Sequence, residues 1–94
     1  MRLAWTARAA ANLEEIADYI ARDNPQAAAR LTQHILSSLA RLEVHPHLGK
    51  PGRSPGTREL VTSRTAYIAA YRVTGERIEL LAVRHGARDW LKLL

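Results

Sequence analysis

The sequence predicts an α+β fold in which an antiparallel helix hairpin packs on one face of a mainly antiparallel sheet. Three observations predict it. A short apolar opening, Arg2-Leu3-Ala4-Trp5, precedes everything else. Two stretches with helical periodicity follow, separated by the breaker Asp23-Asn24-Pro25. The second half is then written in alternating, strand-like pattern with turn residues between the runs. Runs of helices and runs of strands that are segregated along a chain favour helices on one face of a sheet.

Each element has a local cause. Residues 2–5 read as a first strand. Thr6 is placed to cap the helix after it, because its hydroxyl can accept an early backbone N–H. Leu13, Ile16, Ala17 and Ile20 recur at i, i+3, i+4 and i+7, the mark of one apolar helix face. Asn24 is a good N-cap and Pro25 suits the first helical position, where no N–H is needed. Ala28, Leu31, Ile35, Leu39 and Leu42 form the second apolar stripe, and Pro46 is expected to end that helix. The short connection predicts an antiparallel pair.

Residues 46–57 contain three prolines and three glycines and read as a loop. Three strands are expected after it. The first is Arg58–Thr62. The second is Tyr67–Val73, with Tyr67, Ala69, Tyr71 and Val73 on one face and Ile68, Ala70 and Arg72 on the other. The third is Ile78–Arg84, with Ile78, Leu80 and Ala82 expected on one face and Leu81 and Val83 on the opposite one. Thr74-Gly75-Glu76 makes the turn of a β-hairpin between the last two. Arg88 to Leu94 is expected to form a short helix or to lie on the core. The 94 residues are expected to make one domain, 1–94.

Composition narrows function. There is no cysteine, which excludes a disulfide framework, a zinc ribbon and a cysteine nucleophile together. No apolar run approaches the roughly 20 residues of a membrane span, so the chain is expected to be cytoplasmic. The net charge is +5. Residues 1–49 carry five arginines and five acids, so the excess lies wholly in residues 50–94. Such an imbalance favours an anionic partner. No GxGxxG, P-loop, GxSxG or HExxH motif is present, and no cofactor is expected. His45 and His47 flank Pro46, but without cysteines or an acidic cluster beside them they read as loop histidines, and no metal is expected.

The arginines are the informative residues. Arginine suits phosphate and carboxylate because its planar fork donates parallel hydrogen bonds. Arg58, Arg64, Arg72, Arg84 and Arg88, with Trp90, are the candidate target-binding residues. Strand alternation places Arg72 opposite Tyr71, and an open face there would gather arginines from neighbouring strands. A catalytic alternative uses Arg64, Arg72, His85 and Arg88: arginine can stabilise a charged phosphorane, and His85 is the one histidine near the later arginines able to act as acid or base.

Five segments, taken in order, resemble the RelE/ParE toxin superfamily of type II toxin–antitoxin systems: Trp5 before an alanine-rich helix, Ile16–Ala21 leading to Asp23-Asn24-Pro25, Pro55–Val61, Tyr67–Val73, and His85–Trp90. The resemblance implies a growth-arresting toxin, of the kind tied to plasmid stabilization, held in check by a cognate antitoxin. It implies a toxin–antitoxin hetero-oligomer that reaches operator DNA only through the antitoxin, and no membrane partner. One branch of the superfamily cleaves messenger RNA on the ribosome; the other poisons DNA gyrase without being a nuclease. The ribonuclease branch uses alternating lysines on the strand before Tyr67, an arginine after that aromatic, a later arginine and an acid or base near the C-terminus. Here those places hold Glu59 and Val61, Ile68, Arg88, and Leu93 with Leu94. Only the later arginine survives, so the ParE-like, gyrase-inhibiting branch is favoured. The alternatives are an mRNA endoribonuclease with a rearranged set and an inactive or attenuated member that only binds its antitoxin.

Overall fold

The computed structural model describes residues 1–62 and 64–87. The order of elements is β1 (Arg2–Trp5), α1 (Ala7–Ala21), α2 (Pro25–Ala40), a 3-10 turn (Arg41–Glu43), β2 (Lys50–Pro51), β3 (Arg58–Val61), β4 (Tyr67–Thr74) and β5 (Arg77–His85). The five strands form one mixed sheet in the order β1-β5-β4-β3-β2.

Both helices start where the caps require. The Thr6 hydroxyl accepts from the Ala9 backbone N–H, and the Asn24 side chain accepts from that of Ala27, with Pro25 directly after the cap. Thr6 does a second job: its hydroxyl donates to the Leu80 carbonyl at 2.7 Å and so ties the start of α1 to β5. The second helix stops earlier than Pro46. It tightens into the 3-10 turn at Arg41, which keeps Leu42 fully buried while the chain turns away.

The core lies between the hairpin and one sheet face. Ala9 and the stripe Ile35, Leu39 and Leu42 meet Leu60, Ala69, Tyr71, Ile78, Leu80 and Val83, with Leu3, Trp5, Leu13, Ile16 and Leu31 packed around them. Burying each of the larger apolar side chains contributes about 1.5–3 kcal/mol.

Three features depart from the pattern read along the chain. First, β1 runs parallel to β5, pairing Arg2 with Arg77 through Trp5 with Leu80. Second, Lys50 and Pro51 pair with Glu59 and Arg58, so the proline-rich loop contains a minimal strand at the sheet edge, where a proline is tolerated. Third, β4 and β5 are out of step. Ala70 faces Ala82 while Tyr71 faces Leu80, so Leu81 is an extra residue with no opposite number. A bulge of this kind reverses the facing of every later residue on the strand. Val83 therefore joins the core, and Ala82 faces away from Leu80 rather than sharing its side. The segment 88–94, with its expected tail helix, lies outside the described residues.

Candidate functional site

The sheet face turned away from the core is the first place to look. Alternation, corrected by the bulge, sets out its rows. Lys50, Glu59, Ala70 and Ala82 lie across from one another, then Val61, Ile68 and Arg84, then Arg72 and Glu79. The bulge is what brings Arg84 to this face. Without it, strict alternation would send that side chain toward the core.

Charge on this face is matched internally. Glu59 is only 7% exposed. Its Oε2 accepts from Arg84 Nη2 at 2.8 Å and from the Arg53 backbone N–H at 3.2 Å, and Arg53 Nε lies 3.8 Å away. A buried carboxylate is tolerated when it is both paired and hydrogen-bonded, and Glu59 meets both conditions. Further along, Glu79 holds Arg72 through Nε at 2.7 Å and Nη2 at 2.6 Å, and Arg77 at 3.5 Å. The concave basic surface expected from the arginine count is thus largely neutralised.

Arg58 has a different task. Its Nη1 donates to the Gly49 carbonyl at 2.7 Å. The buried Tyr71 hydroxyl completes the staple, accepting from the Gly49 N–H at 2.9 Å and donating to the Pro46 carbonyl at 2.8 Å. A Cβ on Gly49 would lie 2.8 Å from both the Glu59 carbonyl and the Tyr71 hydroxyl, so glycine is required there. Together these bonds fasten the stretch 46–49 to the sheet.

A cleft of about 640 Å³ opens between α1 and β5. Arg8, Asn12 and Tyr19 line it from the helix, Arg53 from the loop, and Arg84 and His85 from the strand. Asn12 explains how β5 is finished here. β1 pairs only as far as Leu80, and beyond it the Asn12 side chain accepts the Val83 backbone N–H at 3.1 Å. The His85 ring meets Tyr67 edge-on with centroids 5.2 Å apart. Its Nδ1 accepts from the Ala87 N–H at 3.2 Å. Among the described residues no three histidine, aspartate or glutamate side chains gather to hold a metal ion, and no helix is long and apolar enough to cross a membrane.

The candidate residues therefore separate. Arg84 and His85 share the cleft, Arg72 lies further along the open face, and Arg58 braces the loop. Arg64 stands in the β3–β4 turn with φ +62°. Arg88 and Trp90 lie outside the described residues. Sequence reasoning missed Arg8, Asn12 and Tyr19. It weighed Glu59 only as an acid in the place of a ribonuclease lysine, not as the anchor of two arginines. The signal available for Glu59 was its place in a strand otherwise apolar on its inner positions, where a lone acid needs a partner.

A protein-family model for the ParE toxin of the type II toxin–antitoxin system parDE matches residues 3–90. The chain is 41% identical to a candidate toxin designated Y4kP from Sinorhizobium fredii over 99% of this chain and 96% of that one. It is 32% identical to toxin RelE2 from Caulobacter vibrioides over 93% and 97% of the two chains. Among solved structures, a chain of the chromosomal ParDE toxin–antitoxin system of P. aeruginosa superposes with a TM-score of 0.81 at 33% identity, covering 90% of this chain and 95% of that one. A chain of the RelBE2 complex of Mycobacterium tuberculosis shares the fold, with a TM-score of 0.56 at 24% identity over 89% and 95%. A match of this extent, on a fold of one helix hairpin and a mixed five-stranded sheet, makes the chain a member of the ParE toxin family of type II toxin–antitoxin systems.

Proposed function

We propose that this toxin arrests growth by binding DNA gyrase in the cytoplasm, that it cuts no RNA, and that a cognate antitoxin silences it. The observation that carries the non-nuclease part is Glu59. The ribonuclease branch needs cations where this chain has Glu59, Val61 and Ile68. Here the central position is a carboxylate, buried and engaged by Arg84 and Arg53. A fixed negative charge at that place opposes the phosphorane that RNA cleavage must stabilise. Arg84 and Arg72 are already held by acids of the same chain, which leaves them poorly placed to receive a scissile phosphate.

The antitoxin part rests on family membership and on charge. The neighbour from P. aeruginosa belongs to a ParDE toxin–antitoxin system. A chain with net charge +5 attracts an acidic segment that orders on binding. The resulting complex is a hetero-oligomer that reaches operator DNA through the antitoxin alone.

The test is a supercoiling assay with purified toxin and gyrase, run beside a translation extract in which messenger RNA ends are mapped. Lost supercoiling or trapped cleaved DNA, with intact RNA, is the expected result. Codon-phased RNA cuts with normal gyrase would overturn the proposal and direct attention to Arg64, Arg72, His85 and Arg88.

A further inference from the structure

The turn between β3 and β4 is built with unusual care for so small a feature. The Thr62 N–H donates to the Tyr67 carbonyl at 3.0 Å, and the Thr62 hydroxyl donates to the same oxygen at 2.9 Å. The Thr65 N–H returns to the Thr62 carbonyl at 3.3 Å, the Tyr67 N–H donates to the Thr65 hydroxyl at 3.1 Å, and the two threonine hydroxyls are bonded to each other. Thr62 is fully buried. This network over-determines the backbone, and within it Arg64 is held at φ +62°.

Arg64 is the one non-glycine residue among those described with a positive φ. Glycine takes this conformation freely and asparagine readily, whereas other side chains are strained in it. Nothing among the described residues explains an arginine there. Its side chain is exposed, and it makes no hydrogen bond or ion pair with a described residue. The contrast with Arg53, Arg58, Arg72, Arg77 and Arg84, each engaged by a carboxylate or a carbonyl, is complete. Strain of this kind, held by surroundings that fix it, marks functional positions.

A second observation says what it faces. Val61, the last residue of β3, is 58% exposed and pairs across the strands with Ile68 on the open face. An apolar pair, Val61 exposed and Ile68 half-buried, at the base of a turn that carries an arginine matches a protein surface, where a carboxylate sits beside apolar side chains. A nucleic-acid backbone would find no use for the valine.

We propose that the β3–β4 hairpin is the element that docks on the toxin's protein target, with Arg64 gripping a carboxylate and Val61 and Ile68 giving the apolar footing. This rests on the reading that the chain acts by binding. The experiment compares wild type with Arg64→Gly, Arg64→Lys and Val61→Thr. The readouts are the induction level that arrests growth, the thermal midpoint, supercoiling inhibition, and binding to bare DNA. Arg64→Gly relieves the backbone, so its midpoint is expected to equal or exceed that of wild type, while roughly ten times more protein is needed for the same arrest. Arg64→Lys falls between, and Val61→Thr weakens arrest several-fold. An Arg64→Gly protein that arrests growth like wild type overturns the proposal. So does a Val61→Thr protein without effect, or a loss of bare-DNA binding that parallels the loss of arrest, which would make the ligand a phosphate. If wild type arrests growth and leaves gyrase untouched, the gyrase reading fails while the arrest comparison still decides the role of Arg64. A wild-type chain that arrests nothing overturns both.

Discussion

Glu59 and Arg64 stand on the same hairpin, at opposite ends of a range of behaviour. Around Glu59 every charge is answered: Arg84 and the Arg53 backbone close on one carboxylate in a nearly water-free position. At the turn, an arginine stands exposed on a strained backbone with no described residue to hold. Two arginines of the same half therefore differ in kind. One set is part of the scaffold, and the other points outward. A count of positive charge treats them alike; only the position of the partner acids separates them.

The largest effect should come from breaking the answered end. Glu59→Ala removes the buried carboxylate that Arg84, itself 20% exposed, holds at 2.8 Å. A loss of about 2–3 kcal/mol is expected in denaturant unfolding, below the range for fully buried broken pairs because water reaches the guanidinium. The double change Glu59→Leu with Arg84→Met should recover most of it, since an apolar pair replaces both charges; a double variant as unstable as the single one would show that the pair is not the cause. Next is Tyr71→Phe, which strands the Gly49 N–H and the Pro46 carbonyl. It should cost about 1–3 kcal/mol and speed amide exchange at Gly49, and unchanged exchange there would remove the staple from the account. Smaller again is Arg72→Ala. Its pair with Glu79 is half in water, with the arginine side chain 50% exposed, so at most about 1 kcal/mol should be lost, and less in high salt. At the far end, Arg64→Gly should leave stability equal or raise it by up to about 1 kcal/mol while arrest weakens. If Arg72→Ala and Arg64→Gly affect arrest alike, the division between scaffold and outward arginines fails.

Much of the fold was legible because its causes are local. Thr6, Asn24 and Pro25 announce the helix starts by themselves, and the stripe from Ala28 to Leu42 is periodic whatever surrounds it. The alternation of Tyr67, Ala69, Tyr71 and Val73 likewise survived, and all four face the core. What could not be read depends on distant partners. The parallel pairing of β1 with β5 joins Arg2 to Arg77, and nothing near Arg2 says so. The bulge at Leu81 carries no glycine to mark it, so strict alternation puts Ala82 and Val83 in the wrong phase. The strand at Lys50-Pro51 hides in a proline-rich stretch because it sits at an edge, where its proline is harmless. The site shows the same division. Arginine-rich composition was visible, but which arginines were already held by Glu59 and Glu79 was not. The cleft residues Arg8, Asn12 and Tyr19 come from a helix whose sequence speaks mainly of its apolar face.

The pairing of β1 with β5 also sets an order of events. Proteins are made from the N-terminus, and the first strand must wait for Arg77–Leu80 before it has a neighbour. The helix hairpin can form early, yet the core surface supplied by Ile78, Leu80 and Val83 arrives only with β5. Contacts this far apart in sequence slow folding. A nascent chain thus carries its apolar hairpin uncovered until β5 has been translated, and whatever the folded molecule does to the cell is withheld until then.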